Sequence, residues 1–182
     1  MKKIMILVSI LFVSVLTTAC INNFAVQELN NQAKESLKSG DTQTAIYKLK
    51  SSLDLDSNIY ETHYNLAVAY IAAKQYVEAI KSLETVVKLN PDFADSYYSL
   101  GLAHEELASI DIEATVKETN PAQKEVRRKY AISNLGKSIE YYNQYLSRKT
   151  NAKDKDQVNQ RINFLNEEIK KYNVEAPAPA KG

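Results

Sequence analysis

Apolar residues recur at helical spacing through most of the chain, and polar breaks divide them into paired segments. Leu29, Ala33 and Leu37 follow one another at intervals of four, then Ser39-Gly40-Asp41 interrupts the pattern. A second segment carries Ala45, Ile46, Leu49, Leu53 and Leu55, a third His63, Leu66, Ala67 and Tyr70, and a fourth Tyr76, Ala79, Ile80, Leu83, Val86 and Val87. Spacings of three and four put one face of a helix against a core. The spacing therefore predicts helices in hairpin pairs. Gly40 suits a left-handed helix end, with Asp41 as the next N-cap. Asn58 and Glu61 form a capping-box pair, Asn90-Pro91 ends the fourth helix, and Asp92 caps the one after it.

The pairs repeat. A shift of 34 places brings Ala45 onto Ala79, Leu49 onto Leu83 and Leu55 onto Leu89, and on the other side Leu66 onto Leu100 and Ala67 onto Gly101. A fixed period of that length filled with helix-type spacing marks a helical repeat array. The third unit breaks the period: its alanine is due at position 113, where Glu113 stands, and the Ala-x-x-x-Leu signal reappears 18 residues later at Ala131 and Leu135. Leu107, Ile110 and Ala114 continue the first helix of this unit. Ala122, Val126 and Tyr130 lead helically into the second, with Asn120-Pro121 as cap and first residue. Both helices are expected to be longer by roughly nine residues, so that the hairpin projects about 13 Å. A disordered insertion near 109–128 is the alternative. A last amphipathic helix places Val158, Ile162, Leu165, Ile169 and Tyr172 on one face behind an Asp154 and Gln157 capping box, suited to covering the end of the array.

These residues are similar to the tetratricopeptide repeat, whose pattern of a large residue, Leu-Gly, Tyr, Ala, an aromatic and Pro is filled here by His63, Leu66-Ala67, Tyr70, Ala79, Leu83 and Pro91, then Tyr97, Leu100-Gly101 and His104. The resemblance implies an all-α, TPR-like α-solenoid of about three helical hairpins, the third lengthened, plus a C-terminal capping helix. The units run 29–57, 58–91 and 92–149, and the cap 150–173. It also implies a concave groove lined by the first helix of each pair: Asn30, Lys34 and Leu37; Glu61, Tyr64, Asn65, Val68 and Ile71; Asp95, Tyr98, Leu102 and Glu105. Aromatics, aliphatics and a few charges on such a face suit a peptide or helix of a partner protein. Some relatives clamp a partner's C-terminal carboxylates with Lys, Asn and Arg. Asn65 and Lys34 fit parts of that clamp, but Asp95 and Ser99 stand where its later lysine and arginine would be, so binding of that kind is not expected.

Composition then limits the chemistry. A formal net charge of +1 gives no broad basic field, so no nucleic-acid partner is expected. The twelve tyrosines raise the idea of a stacking platform, but Tyr70, Tyr76, Tyr97 and Tyr130 read as packing residues, and no basic stripe accompanies them. The densest basic run, Lys124-Glu125-Val126-Arg127-Arg128-Lys129, reads as a solvated helix face. His63 and His104, the only histidines, fall in packing slots of the repeat, and no ligand spacing, phosphate loop or nucleophile motif accompanies them. No cofactor, no metal and no enzymatic activity are expected.

The lone cysteine closes the segment 1–20, in which Lys2 and Lys3 precede an apolar run from Ile4 to Leu16. Such a run is short for a bilayer span and reads as a signal peptide over 1–19. Leu16-Thr17-Thr18-Ala19-Cys20 resembles the lipobox of bacterial lipoproteins, although Thr17 stands where leucine is usual. Cleavage after Ala19 by an ordinary signal peptidase, or retention of the segment as an anchor, also fits the residues. The resemblance implies acylation at Cys20, as with palmitate, and multiple chains make a stable anchor at roughly 0.8 kcal/mol per buried methylene. The expectation is an exported, membrane-anchored protein of the bacterial cell envelope, with 20–28 as lipidated cysteine and tether and 174–182 as an unfolded tail. An unidentified envelope protein or peptide is the expected partner. An envelope structural protein binding peptidoglycan, lipid or a small ligand is the alternative.

Overall fold

The computed structural model describes residues 22–174, and within them the chain forms seven helices and no strand. The expected signal peptide, Cys20 and the residues of the tail beyond Val174 lie outside the described residues. Helix α1 covers 22–38. It is followed by α2 (Thr42–Leu55), α3 (Tyr60–Ala72), α4 (Tyr76–Leu89), α5 (Ala94–Lys117), α6 (Pro121–Arg148) and α7 (Lys155–Val174). The helix starts earlier than the apolar pattern indicates. Residues 22–28, read as tether, are part of α1, and Val26 is buried. One valine followed by polar residues is too little periodicity to betray a helix that is held across the array by the bonds of Asn30 to Ser52 and Thr62.

Each hairpin turns for a local reason. Gly40 takes φ +82° after α1, and the Asp41 carboxylate accepts the amide of Thr44 to open α2. The equivalent place one repeat on is Lys74, which adopts φ +58° without the freedom of glycine. One further repeat on, the turn is absent: Ala108 is fully buried in the middle of α5. The third hairpin is accordingly long, with helices of 24 and 28 residues against 13 and 14 in the second. Asn120 caps α6 by accepting from the amides of Ala122 and Gln123, with Pro121 as its first residue.

Two expected caps are replaced. The N-caps of α3 and α5 are Ile59 and Phe93, which make no side-chain cap bond. Asp56 and Asn90 instead accept the amides of Asn58 and Asp92 in the preceding turns. The Asp154 carboxylate is held by the hydroxyl of Tyr145 at 2.8 and 3.0 Å.

Three apolar clusters run along the array. Ala33, Ala45, Leu49, Leu66 and Tyr70 join the first two hairpins, while Leu83, Ala67 and Leu100 join the second to the third. The last cluster packs Leu135, Tyr142 and Tyr145 of α6 against Val158, Ile162 and Leu165 of α7. Full burial of side chains of this size stabilises by about 1.5–3 kcal/mol each. Each interface is therefore substantial by itself, and α7 covers an end that would otherwise face water.

Candidate functional site

The first helix of each hairpin carries the residues expected to line a groove, and their surroundings change along the array. Between α1 and α3 lies a cleft of about 400 Å³. Its walls carry Gln27, Asn31, Lys34, Glu61 and Asn65, with Ile59 and Val26 beneath them. The floor is a fixed polar ladder. Asn30 donates to the hydroxyls of Ser52 at 2.9 Å and Thr62 at 3.0 Å, both fully buried, and its carbonyl accepts from Asn65 at 2.9 Å. The amide also donates to the carbonyl of Val26 at 3.0 Å, and a half-buried group held by four partners cannot swing, so Asn30 positions Asn65. Lys34 and Glu61 stay exposed on opposite walls, each able to meet a charge of opposite sign on a ligand.

Further along α3, Tyr64 is half-buried and stands edge-on to Phe93, with ring centroids 4.9 Å apart and planes at 86°. Phe93 also tilts against Tyr60 at 5.2 Å. The loop before α5 thus folds an aromatic back over the start of α3. Such pairs add about 0.5–1.5 kcal/mol beyond the area they bury. Val68 keeps partial exposure beside Tyr64, while Ile71 and Leu37 lean on the first core cluster.

The α5 share of the face is engaged within the chain. Asp95 pairs with Lys149 at 2.8 Å. Tyr98 lies 5.5 Å from the ring of Tyr142 and 5.3 Å from that of Tyr145. Glu105 accepts from the Tyr142 hydroxyl at 3.0 Å and from Arg161 of α7 at 2.6 Å. Burial, with the Glu105 carboxylate beside it, pushes the Tyr142 hydroxyl far above the ordinary tyrosine value, so it stays a proton donor. Leu102 remains half-buried beside these groups. The structure therefore brings Asn30, Lys34, Glu61 and Asn65 into one strip with Tyr64 and Val68 next along α3, sets Leu37 and Ile71 against the first core cluster, and draws Asp95, Tyr98 and Glu105 into the attachment of the last two helices.

Phe93, Tyr60, Gln27 and Asn31 also border the strip, outside the slots that the repeat pattern assigns to the groove. The period itself held a signal for Phe93: the 34-residue shift lays it on Ile59, and both are apolar N-cap residues that fold onto the neighbouring helix. Both histidines are engaged. The Nε2–H of His63 donates to the carbonyl of Ser57 at 2.9 Å, and the Nδ1–H of buried His104 donates to Asn134 at 2.9 Å while its ring stacks on Tyr141. Among the described residues there is no cluster of side chains fit to hold a metal ion, and no helix long and apolar enough to cross a membrane.

Comparison with known proteins agrees with this geometry. Residues 36–104 match the tetratricopeptide repeat. The BBSome complex member BBS4 homolog of Drosophila melanogaster is 36% identical over 67 residues, which are 37% of this chain and 14% of that protein. The first TPR domain of human RPAP3 superposes with a TM-score of 0.61 at 16% identity, covering 83% of this chain and 97% of that one. The Yersinia enterocolitica type III secretion chaperone SycD, solved with a peptide of the translocator YopD, gives 0.57 at 16% identity over 81% and 93% of the two chains. Residues 36–104 are thus similar to tetratricopeptide repeats, and the described residues form an all-α solenoid of TPR-like fold.

Proposed function

We propose that this protein is a non-enzymatic scaffold or assembly factor whose α1–α3 strip grips an extended or helical segment of a partner protein. The supporting observation is the division of the concave face. The α1–α3 portion keeps exposed amides, one lysine, one carboxylate and the edge of Tyr64, whereas the α5 portion is engaged with Tyr142, Tyr145, Lys149 and Arg161. Side-chain amides held in place bond peptide carbonyls and amides without regard to sequence, and the aromatic edge supplies apolar contact. The SycD structure, with its bound peptide, lends the reading support by analogy of fold.

A photo-crosslinking residue placed at Tyr64 is expected to capture a defined partner in cells, and one placed at exposed Tyr47 on α2 is not. Capture lost in Glu61→Arg would tie the adduct to the cleft. Equal adducts from Tyr64 and Tyr47 would sink the reading.

The place of action we propose is the bacterial cell envelope, with the chain held at a membrane by lipid on Cys20; the supporting feature is the Leu16 to Cys20 segment. Radioactive palmitate is expected to label the protein and to be lost in Cys20→Ser. Unchanged labelling in that variant would remove the anchor from the proposal.

A further inference from the structure

The lengthened hairpin leaves a second surface open. The hydroxyl of Tyr76, first residue of α4, donates to Glu106 of α5 at 3.1 Å, which marks where the second hairpin stops beside the third. From Glu106 to Lys117, the end of α5, runs about 17 Å of helix with no neighbour on that side among the described residues. Gln123, Arg127, Tyr130, Asn134 and Tyr141 share one stripe of α6 by their spacing. Low on the stripe, Tyr141 packs against the cluster that contains Leu83 of α4. High on it, Tyr130 is 61% exposed. The expectation that Tyr130 packs in the core is thereby corrected: α4 ends before reaching it.

A cleft of about 460 Å³ occupies this overhang, lined by Ala122, Val126, Tyr130, Arg127, Gln123 and Asp111. Val126, at 51% exposure, adds to its apolar wall. Asp111 faces the cleft from α5 and, among the described residues, no cation lies within ion-pair distance of its carboxylate. Partial burial raises its pKa even though the Arg127 charge opposes the shift. Arg127 is itself only loosely engaged, 3.8 Å from Glu118.

We propose that this overhang docks an amphipathic helix of a partner protein, seated as a prolongation of α4, with apolar side chains against Val126 and Tyr130 and a lysine or arginine on Asp111. Two observations choose the occupant. The surface continues the one that a helix, α4, already fills. The unpaired carboxylate inside an apolar cleft calls for a cation, and an exposed tyrosine in such a cleft is a typical anchor. This surface is separate from the α1–α3 strip, and either can fail without the other.

A displayed library of short helical peptides of about four turns, selected against the whole chain carrying Glu61→Arg so that the α1–α3 strip is disabled, tests this. Enriched peptides are expected to share apolar residues at i, i+3 or i+4 and i+7 with one basic residue. Their binding should fall roughly tenfold in Tyr130→Ala and in Asp111→Lys, and stay unchanged in Tyr64→Ala. Replacing the basic residue by glutamate should restore binding to Asp111→Lys. An empty selection, peptides indifferent to both hairpin substitutions, or self-association of the chain that is lost in Tyr130→Ala would each overturn the proposal.

Discussion

The ring of Tyr142 lies on the bare Cα of Gly101, so close that a Cβ built there would stand 2.7 Å from both Cδ1 and Cε1. Gly101 occupies the small-residue slot of the third repeat, and the partner that requires it is a fully buried aromatic side chain of α6. Tyr142 in turn donates to Glu105, which receives Arg161. A missing methyl on α5 thus allows the contact that seats α6 and, through it, α7.

Alanine at the two helical glycines should act in opposite directions. Gly101→Ala forces the Tyr142 ring outward and should destabilise by about 1–3 kcal/mol, as overpacking does. Gly136, exposed in the middle of α6, has nothing within 4 Å of a built Cβ. Gly136→Ala should stabilise by about 0.5–1 kcal/mol through helix propensity alone. Urea unfolding midpoints of the two variants check the contrast, and shifts of the same sign would contradict it.

Lys74 keeps a left-handed conformation at the position where the first repeat has Gly40. Lys74→Gly should relieve strain of about 1 kcal/mol, less the extra chain entropy that glycine loses on folding. A small gain in thermal midpoint is expected. Gly40→Ala, the reverse experiment, should lower it.

Stability should fall in mild acid because of His104. Burial holds its pKa below the ordinary histidine value, and repulsion from Lys137 adds to this, while the Asn134 bond and the charges of Glu84 and Glu140 oppose it. The folded state therefore binds fewer protons than the unfolded one, whose histidine titrates near 6.5. The contribution of His104 is fully present above about pH 6.5 and is lost as pH drops through the folded value. Unfolding midpoints measured in neutral and mildly acid buffer should show a smaller acid loss in His104→Gln. An identical loss would assign the effect to other groups.

The link between α5 and α7 should be local. Glu105→Ala removes the acceptor of the buried Tyr142 hydroxyl and of Arg161, and should destabilise by about 1–3 kcal/mol. Amide exchange should quicken first in α7. If Glu105→Ala leaves exchange in α7 unchanged but abolishes partner capture at Tyr64, Glu105 belongs to the binding strip after all.

Ser138 is fully buried and its hydroxyl has no hydrogen-bond partner among the described residues. Ser138→Ala should stabilise by about 1 kcal/mol by removing an unpaired polar group, read as a higher urea midpoint.

Period and spacing by themselves determined the helices, the order of the hairpins and the lengthening of the third. Those features rest on interactions between residues three, four or one repeat apart, which leave a periodic trace. Asp41, Gly40 and the Asn120-Pro121 start were legible for the same local reason. The concave strip was legible as a set of slots, since a helix face follows from register. What became of each slot was not. Asp95 and Tyr98 occupy the positions of Glu61 and Tyr64 in the second repeat and Glu105 that of Ile71, yet their partners Lys149, Tyr142, Tyr145 and Arg161 arrive from segments beyond the break in the period. The exposure of Tyr130 was hidden likewise: its stripe reads as a core face, and only the end of α4, fixed by the turn at Lys74 and the Tyr76 contact with Glu106, shows that no described element covers it. Local periodicity records which face a side chain takes, and tertiary structure alone decides whether another element reaches that face.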